Sequence, residues 1–304
     1  MGEDVGGLTA LVLGSAAGGG FPQWNCACRL CRLARAGDPR VSPRAQASVA
    51  FSADRDNWLV IGASPDLRQQ ILRAPALHPR RGPRDSPILG IVLVSADVDG
   101  IAGLLAVRER QPFRVYAPEP ILRVLRGNSV FDVLDPALVE RVELTPDRPV
   151  ECGAGLRLTL LPMPGKVPLY LEDRASAQPE AGPTYAARIE ANGRRAVVAP
   201  ACAEITDDVR ARLRGADLLF FDGTLFTDDE MIAAGVGAKT GRRMGHVPIG
   251  GPDGSLSVLA GLGGRRVYLH INNTNPVLLD GSAERRQVRD AGVEIAHDGM
   301  EVVL

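Results

Sequence analysis

No stretch of this 304-residue chain reaches the roughly 18 consecutive apolar residues that a membrane span requires, so no membrane association is expected. An excess of charge of one sign is missing as well. The net charge is −1 and there is no long basic or acidic block, which leaves nothing to recommend nucleic acid or an anionic membrane as a partner. Positions 1–9 contain neither a basic n-region nor a proper apolar h-region, so no signal peptide is expected and the bacterial-type cytoplasm is the expected location. Five cysteines, an odd number with three clustered, do not resemble a secreted disulfide framework. The glycine-rich run 14–20 lacks the Lys-Ser/Thr of a P-loop and the spacing of a dinucleotide fingerprint, and no helix opens after it. Nucleotide binding is excluded on that ground. No repeat period and no linker appear, so a single domain over 1–304 is expected.

What the chain does have is core. Its hydrophobic fraction is 45%, and short apolar runs recur between turns made from 34 Gly and 23 Pro. Expected strands are Leu8–Leu13, Ala45–Ser52 paired with Asn57–Gly62, Ile88–Val94, Phe113–Ala117, Leu156–Leu161, Ala186–Glu190, Arg195–Ala199, Leu218–Phe221 and Arg266–Leu269. A last pair, Val293–Ala296 with Glu301–Leu304, is expected around a turn at Asp298-Gly299. Helices are expected at Leu67–Leu72, Gly103–Arg108 and Glu119–Leu125, giving an α/β chain. The segment 165–183 reads as a mobile loop over a site.

Two groups of residues carry chemistry. Cys26, Cys28 and Cys31 form a Cys-x-Cys-x-x-Cys cluster, spaced so that three soft sulfurs can share one tetrahedral ion, usually Zn²⁺. Cys152 and Cys202 stand alone and read as small buried hydrophobes. The second group stands at strand ends: Asp97 and Asp99 after Ile88–Val94, Asp222 after Leu218–Phe221, and His270 after Arg266–Leu269. Ligands gather where the strands of α/β sheets end, and converging carboxylates with a histidine suit a hard-to-borderline metal. His246, in a polar glycine-bearing loop, can serve as acid, base or ligand. His78 and His297 read as turn residues without such a role.

The run from Leu13 through Gly14-Ser15-Ala16-Ala17-Gly18-Gly19-Gly20-Phe21-Pro22-Gln23-Trp24-Asn25-Cys26-Ala27-Cys28 closely resembles the pyrroloquinoline quinone (PQQ) biosynthesis protein B family. So do Ala63-Ser64-Pro65-Asp66, Phe221-Asp222-Gly223-Thr224, Gly235-Val236-Gly237, Met244-Gly245-His246, His270-Ile271-Asn272-Asn273-Thr274-Asn275-Pro276 and Asp298-Gly299-Met300. The resemblance spans residues 8–304. It implies the metallo-β-lactamase fold, an αββα sandwich of two mixed sheets with helices outside. It also implies a part in making PQQ from a Glu- and Tyr-containing peptide precursor.

The resemblance assigns roles by position. The superfamily's His-x-His-x-Asp-His loop corresponds to Ser95-Ala96-Asp97-Val98-Asp99-Gly100, so Gly100 stands where the last histidine is expected. Asp99, Asp222 and His270 are the implied active-site metal ligands, with Asp97, in a histidine's slot, as a substitute. His246 resembles a loop histidine used near the leaving group in related phosphodiesterases. Arg44 and Gln46 are the implied contacts for substrate carboxylates. The cysteine cluster resembles a structural zinc knot whose fourth ligand comes from the loop after His270. Asn273 holds that position, with a main-chain carbonyl or water as alternatives.

The expected activity is hydroxylation of the Tyr ring of a small Glu–Tyr-derived precursor, with Fe²⁺ or another divalent metal at the active site and Zn²⁺ at the cysteines. The alternative is non-enzymatic carriage of PQQ or its precursor. Hydrolysis ranks below both, since residues 95–100 contain no histidine and none appears between Leu161 and Pro168. A homodimer is left open.

Overall fold

The computed structural model describes residues 7–168, 170–171 and 184–304. Within them the two halves of the chain each lay down most of a seven-stranded sheet. The first begins antiparallel, with β1 (Thr9–Gly14), β2 (Ser48–Ser52) and β3 (Trp58–Ile61), and continues parallel through β4 (Ile88–Val92), β5 (Phe113–Ala117) and β6 (Val139–Glu143). The second repeats the plan. Its strands β7 (Val150–Gly153), β8 (Leu156–Met163), β9 (Thr184–Ala191) and β10 (Arg194–Ala199) run antiparallel. From β10 it continues parallel through β11 (Leu218–Asp222), β12 (Arg265–Leu269) and β13 (Glu294–Ile295). The last strand, β14 (Glu301–Val303), returns to the first sheet beside β1, with Val303 opposite Thr9. The α-helices are α1 (Arg29–Arg35), α2 (Leu67–Arg73), α3 (Val98–Ile101), α4 (Glu119–Arg126), α5 (Asp207–Leu213), α6 (Glu230–Ala233), α7 (Ser255–Ala260) and α8 (Ala283–Asp290).

Alternation along each strand decides what each face buries. Leu218 and Phe220 of β11 and Val267 and Leu269 of β12 join Val49, Phe51, Ile91 and Val115 of the first sheet in the larger apolar cluster. Leu219, Phe221 and Tyr268 point the other way and pack with Val209 and Leu213 of α5 and Val288 of α8. Strands buried on both faces read as unbroken apolar runs, which is why β4 and β11 were legible. On the first sheet, Leu122 and Leu125 of α4 and Leu67 of α2 supply the covering layer. The helices are ended by local chemistry: the Thr206 hydroxyl accepts the Val209 N–H at 3.2 Å to cap α5, whose first turn carries Asp207 and Asp208. The result is the αββα sandwich expected from the sequence.

The C-terminal strands differ from expectation. Val293–Ala296 and Glu301–Leu304 do not pair with each other. β13 lies beside β12 and β14 beside β1, so the Asp298-Gly299 turn crosses from one sheet to the other. Each partner is remote in sequence, and a local pattern cannot choose between them. The segment Gly103–Arg108 forms 3₁₀ turns (Ala102–Val107) after the single turn α3 rather than an α-helix. β2 starts at Ser48, because Arg44 and Gln46 bridge to Phe21 and Ala16 instead. β6 and β7, which end their sheets, have mostly half-exposed or exposed residues and no apolar run to announce them. The segment expected as a mobile loop, 165–183, falls largely outside the described residues.

Candidate metal centre and cavity

Parallel strands of both sheets end on one side of the sandwich, and their loops meet around a cavity of about 370 Å³. β11 ends at Asp222, β12 delivers His270, and the loop after β4 brings Asp97 and Asp99 at the start of α3. Val49, Ile61, Val94, Val198 and Leu269 give the cavity apolar walls. His270 leaves β12 with φ of 60°, a left-handed conformation that costs a non-glycine residue about 1–2 kcal/mol. The surrounding contacts hold it there.

Asp222 is fully buried, and both of its oxygens accept hydrogen bonds. Its Oδ1 accepts the Thr224 N–H at 3.0 Å and the Thr224 hydroxyl at 2.7 Å. Its Oδ2 accepts the Cys202 N–H at 2.9 Å and lies 2.8 Å from His246 Nδ1. With its proton directed to Asp222, the Thr224 hydroxyl can only accept from the imidazoles, whose Nδ1 atoms lie at 2.9 Å (His270) and 3.1 Å (His246). The proton on His270 is therefore fixed at Nδ1, and Nε2 faces Asp99 Oδ2 at 3.2 Å. The two imidazole rings stack with centroids 5.3 Å apart.

Ligand atoms of Asp222, His246 and His270 lie within 4.8 Å of one another. Asp99 joins them through His270 Nε2. Two carboxylates and two imidazoles suit a borderline divalent cation such as Fe²⁺ or Zn²⁺. Burial disfavours the charged form of Asp99, yet the hydrogen bond and charge of His270 hold its carboxyl below the usual range. Burial likewise disfavours the His270 cation, but Asp99 and the other carboxylates push its pKa up. Burial and the neighbouring Asp99 raise Asp97. Asp97 is the N-cap of α3, but its side chain makes no capping bond, and it lines the cavity.

The three cysteines form a second cluster of possible metal ligands, their sulfurs within 4.8 Å of one another. α1 is capped by Cys28, whose Sγ accepts the Cys31 N–H at 3.5 Å, while Cys26 Sγ accepts the Cys28 N–H at 3.4 Å. Asn273 Nδ2 sits over the sulfurs, 3.1 Å from Cys26, 3.4 Å from Cys31 and 3.7 Å from Cys28. Turning that amide over places Oδ1, a ligand atom, on the same spot. Burial pushes the Cys31 thiol up to about 11, and binding a cation to the thiolates reverses that cost. The donor set fits Zn²⁺.

Arg44 and Gln46 were expected at the substrate, and the structure corrects this. Arg44 is buried and donates to the Ala296 carbonyl and, at 3.2 Å, to Ser15 Oγ. Gln46 accepts the Gly19 N–H at 3.0 Å and donates to Asp66 Oδ2 at 3.1 Å. Both tie the glycine-rich loop to its surroundings, and neither lines the cavity. His78 and His297 bond to backbone carbonyls away from the site. Sequence reasoning missed Thr224, although it stands in the quoted Phe-Asp-Gly-Thr run; a hydroxyl two residues after a buried Asp was the available signal. It also missed Lys166, for which no pattern exists.

This fold, with acidic and histidine donors at the strand ends, defines a protein of the metallo-β-lactamase class. A family model described as the Beta-lactamase superfamily domain matches residues 57–271. A curated coenzyme PQQ synthesis protein B from Methylobacterium nodulans is 53% identical over 302 residues, covering 98% of this chain and all of that one. The crystal structure of Zn²⁺-bound PqqB from Methylobacterium extorquens superposes with a TM-score of 0.93 at 49% identity, covering 97% of this chain and 100% of the other. A diphosphatase of the PhnP family shares the fold with a TM-score of 0.70 at 23% identity, over 98% of this chain and 97% of that one. The chain belongs to the coenzyme PQQ synthesis protein B family, and its role lies in PQQ biosynthesis. Among the described residues no helix is long and apolar enough to cross a membrane.

Proposed function

We propose that the chain hydroxylates the Tyr-derived ring of a small Glu–Tyr-derived PQQ precursor held in this cavity. The observation that carries the reading is the crowding of Asp222, His246 and His270, with Asp99 against His270, on one side of an otherwise largely apolar chamber. Asp99, Asp222 and His270 would hold a redox-active metal such as Fe²⁺, with His246 completing the donor set. Such a metal, when bound, would supply the activation of O₂ that ring hydroxylation demands, one oxygen atom entering the ring and the other leaving as water with two electrons taken from an external reductant. Zn²⁺ would sit at Cys26, Cys28 and Cys31, with Asn273 as the fourth ligand, and act structurally.

The chain's own residues do the rest. Thr224 fixes the histidine tautomers and so the direction of their free nitrogens. The walls exclude water from the ring and leave a flat aromatic group room to lie against them. Asp97, its carboxylate free of any cap, is the group placed to take the proton released from the ring carbon. His246 stands in the donor set rather than apart from it, which moves the acid–base role to Asp97. The test is to load the purified chain with Fe²⁺, supply the precursor and a two-electron reductant such as ascorbate with and without O₂, and look for one added oxygen on the Tyr-derived ring.

A second reading has one observation in its favour: Gly100 supplies no ligand where the superfamily places a histidine. On that reading the cavity carries PQQ or its precursor without turnover. Tight PQQ binding by protein that contains zinc but no labile metal, with no oxidised product after iron loading, distinguishes it.

A further inference from the structure

Lys166 is one of only two lysines in a chain with 35 basic residues, and among the described residues it is the only Lys or Arg lining the cavity. Among the described residues it has no hydrogen-bond or ion-pair partner. It is also held in place. The Ala203 N–H donates to the Pro164 carbonyl at 2.9 Å. A Cβ at Gly165 would fall 2.2 Å from Thr184 Oγ1, so this backbone lies directly on the start of β9. The stem of Lys166 crosses Gly245: a Cβ there would meet Lys166 Cγ at 3.0 Å, and Gly245 has φ of 85°. The lysine thus reaches the cavity over the residue next to His246. Its charge acts on Asp97, lowering a carboxyl that burial otherwise raises.

With Asp99 and Asp222 committed to a cation together with His270, Asp97 still leaves a carboxylate on the polar side of the cavity lining. An anionic ligand therefore needs a cation of its own. Resting on the reading that the cavity takes PQQ or a PQQ-like precursor, we propose that Lys166 is the carboxylate-binding, specificity-determining residue of this site. It would pair with one carboxylate of an aromatic polycarboxylate whose rings lie along the apolar walls, the role the sequence assigned to Arg44 and Gln46. An ammonium on a flexible stem suits one carboxylate oxygen at the cavity mouth, where a bidentate guanidinium fork is not required.

The test uses the full chain with its metals and two probes, PQQ and its methyl-esterified form, titrated against wild type, Lys166→Met, Lys166→Gln and Lys166→Arg. Melting curves and zinc content establish that the variants are folded. Lys166→Met and Lys166→Gln should weaken PQQ by about ten- to a hundredfold and Lys166→Arg should restore most of it, whereas the ester should bind wild type and Lys166→Met alike. A purely structural lysine would weaken both probes equally. If Lys166→Met binds PQQ as wild type does, or loses both probes equally, the assignment falls while the reading of the cavity stands. If wild type binds neither probe, the assignment and the reading of a PQQ-like ligand fall together.

Discussion

His270 and Asp99, 171 residues apart in sequence, meet with Nε2 3.2 Å from Oδ2, while the opposite nitrogen of the ring is held 2.9 Å from Thr224 Oγ1. One hydroxyl thereby sets the protonation of a ring whose free edge faces a carboxylate. That is the arrangement a shared cation requires, and it makes Thr224 a supporting residue of the centre.

Thr224→Val preserves volume and removes that hydroxyl. The fold should remain, because the lost contacts involve side chains at a strand end. The labile metal should bind about 10–100-fold more weakly while the cysteine-bound zinc is unchanged. Metal titration followed by elemental analysis reads both sites. Equal loss at the two sites contradicts the role given to Thr224.

Gly100→His restores the missing histidine. A Cβ at this position would lie 3.2 Å from Ser95 Oγ, a contact that a small shift of that hydroxyl relieves. The variant should fold and retain the labile metal through dialysis about tenfold better than wild type. Unchanged retention would show that residue 100 does not face the metal.

Cys31→Ala should release the zinc and lower the melting temperature by about 10 °C or more, corresponding to roughly 4 kcal/mol or more of lost metal-linked stability. Asn273→Ala should weaken zinc without abolishing it, since three sulfurs remain. Because Asn273 lies three residues after His270, the Cys31→Ala protein should also hold its labile metal less tightly. Calorimetry with a zinc indicator measures these effects.

Glu230 provides a pH test through a carboxyl that is not itself among the metal ligands. Its carboxylate accepts the Phe226 N–H at 2.7 Å and the Thr274 hydroxyl at 2.6 Å, and burial pushes its pKa from 4.5 up to about 7. Below pH 4.5 the group is protonated in both folded and unfolded chains and has no effect on stability. Between about 4.5 and 7 the unfolded chain releases its proton while the folded chain keeps it, so stability falls as pH rises and stays lower above 7. The total is roughly 3 kcal/mol. Glu230→Gln should remove that decline, as chemical denaturation at pH 5 and pH 8 would show. A wild type and variant that differ equally at both pH values rule this origin out.

The strands were legible wherever both faces are buried, because Ile88–Val92, Arg194–Ala199 and Leu218–Phe221 must be apolar along most of their length. The polar residue at the end of such a run was legible too, and Asp222 and His270 meet as a strand-end argument expects. Direction was not legible. Arg44 and Gln46 look like substrate contacts in sequence, yet local pairing with Phe21 and Ala16 turns them into the loop's supports. The pairing of Glu294–Ile295 and Glu301–Val303 with different sheets, and the arrival of Lys166 beside His246, depend on contacts remote in sequence.

The central claim is that the cavity performs oxygen-dependent chemistry on the aromatic ring of a PQQ precursor. The most direct measurement is mass spectrometry of the precursor after incubation under ¹⁸O₂ with an excess of a two-electron reductant such as ascorbate and the chain carrying both zinc and a stoichiometric amount of iron. The account predicts a product with ¹⁸O on the Tyr-derived ring, absent without O₂ and absent in His270→Ala. Unchanged precursor from fully iron-loaded wild type that nevertheless binds PQQ tightly would contradict it and leave the protein a carrier.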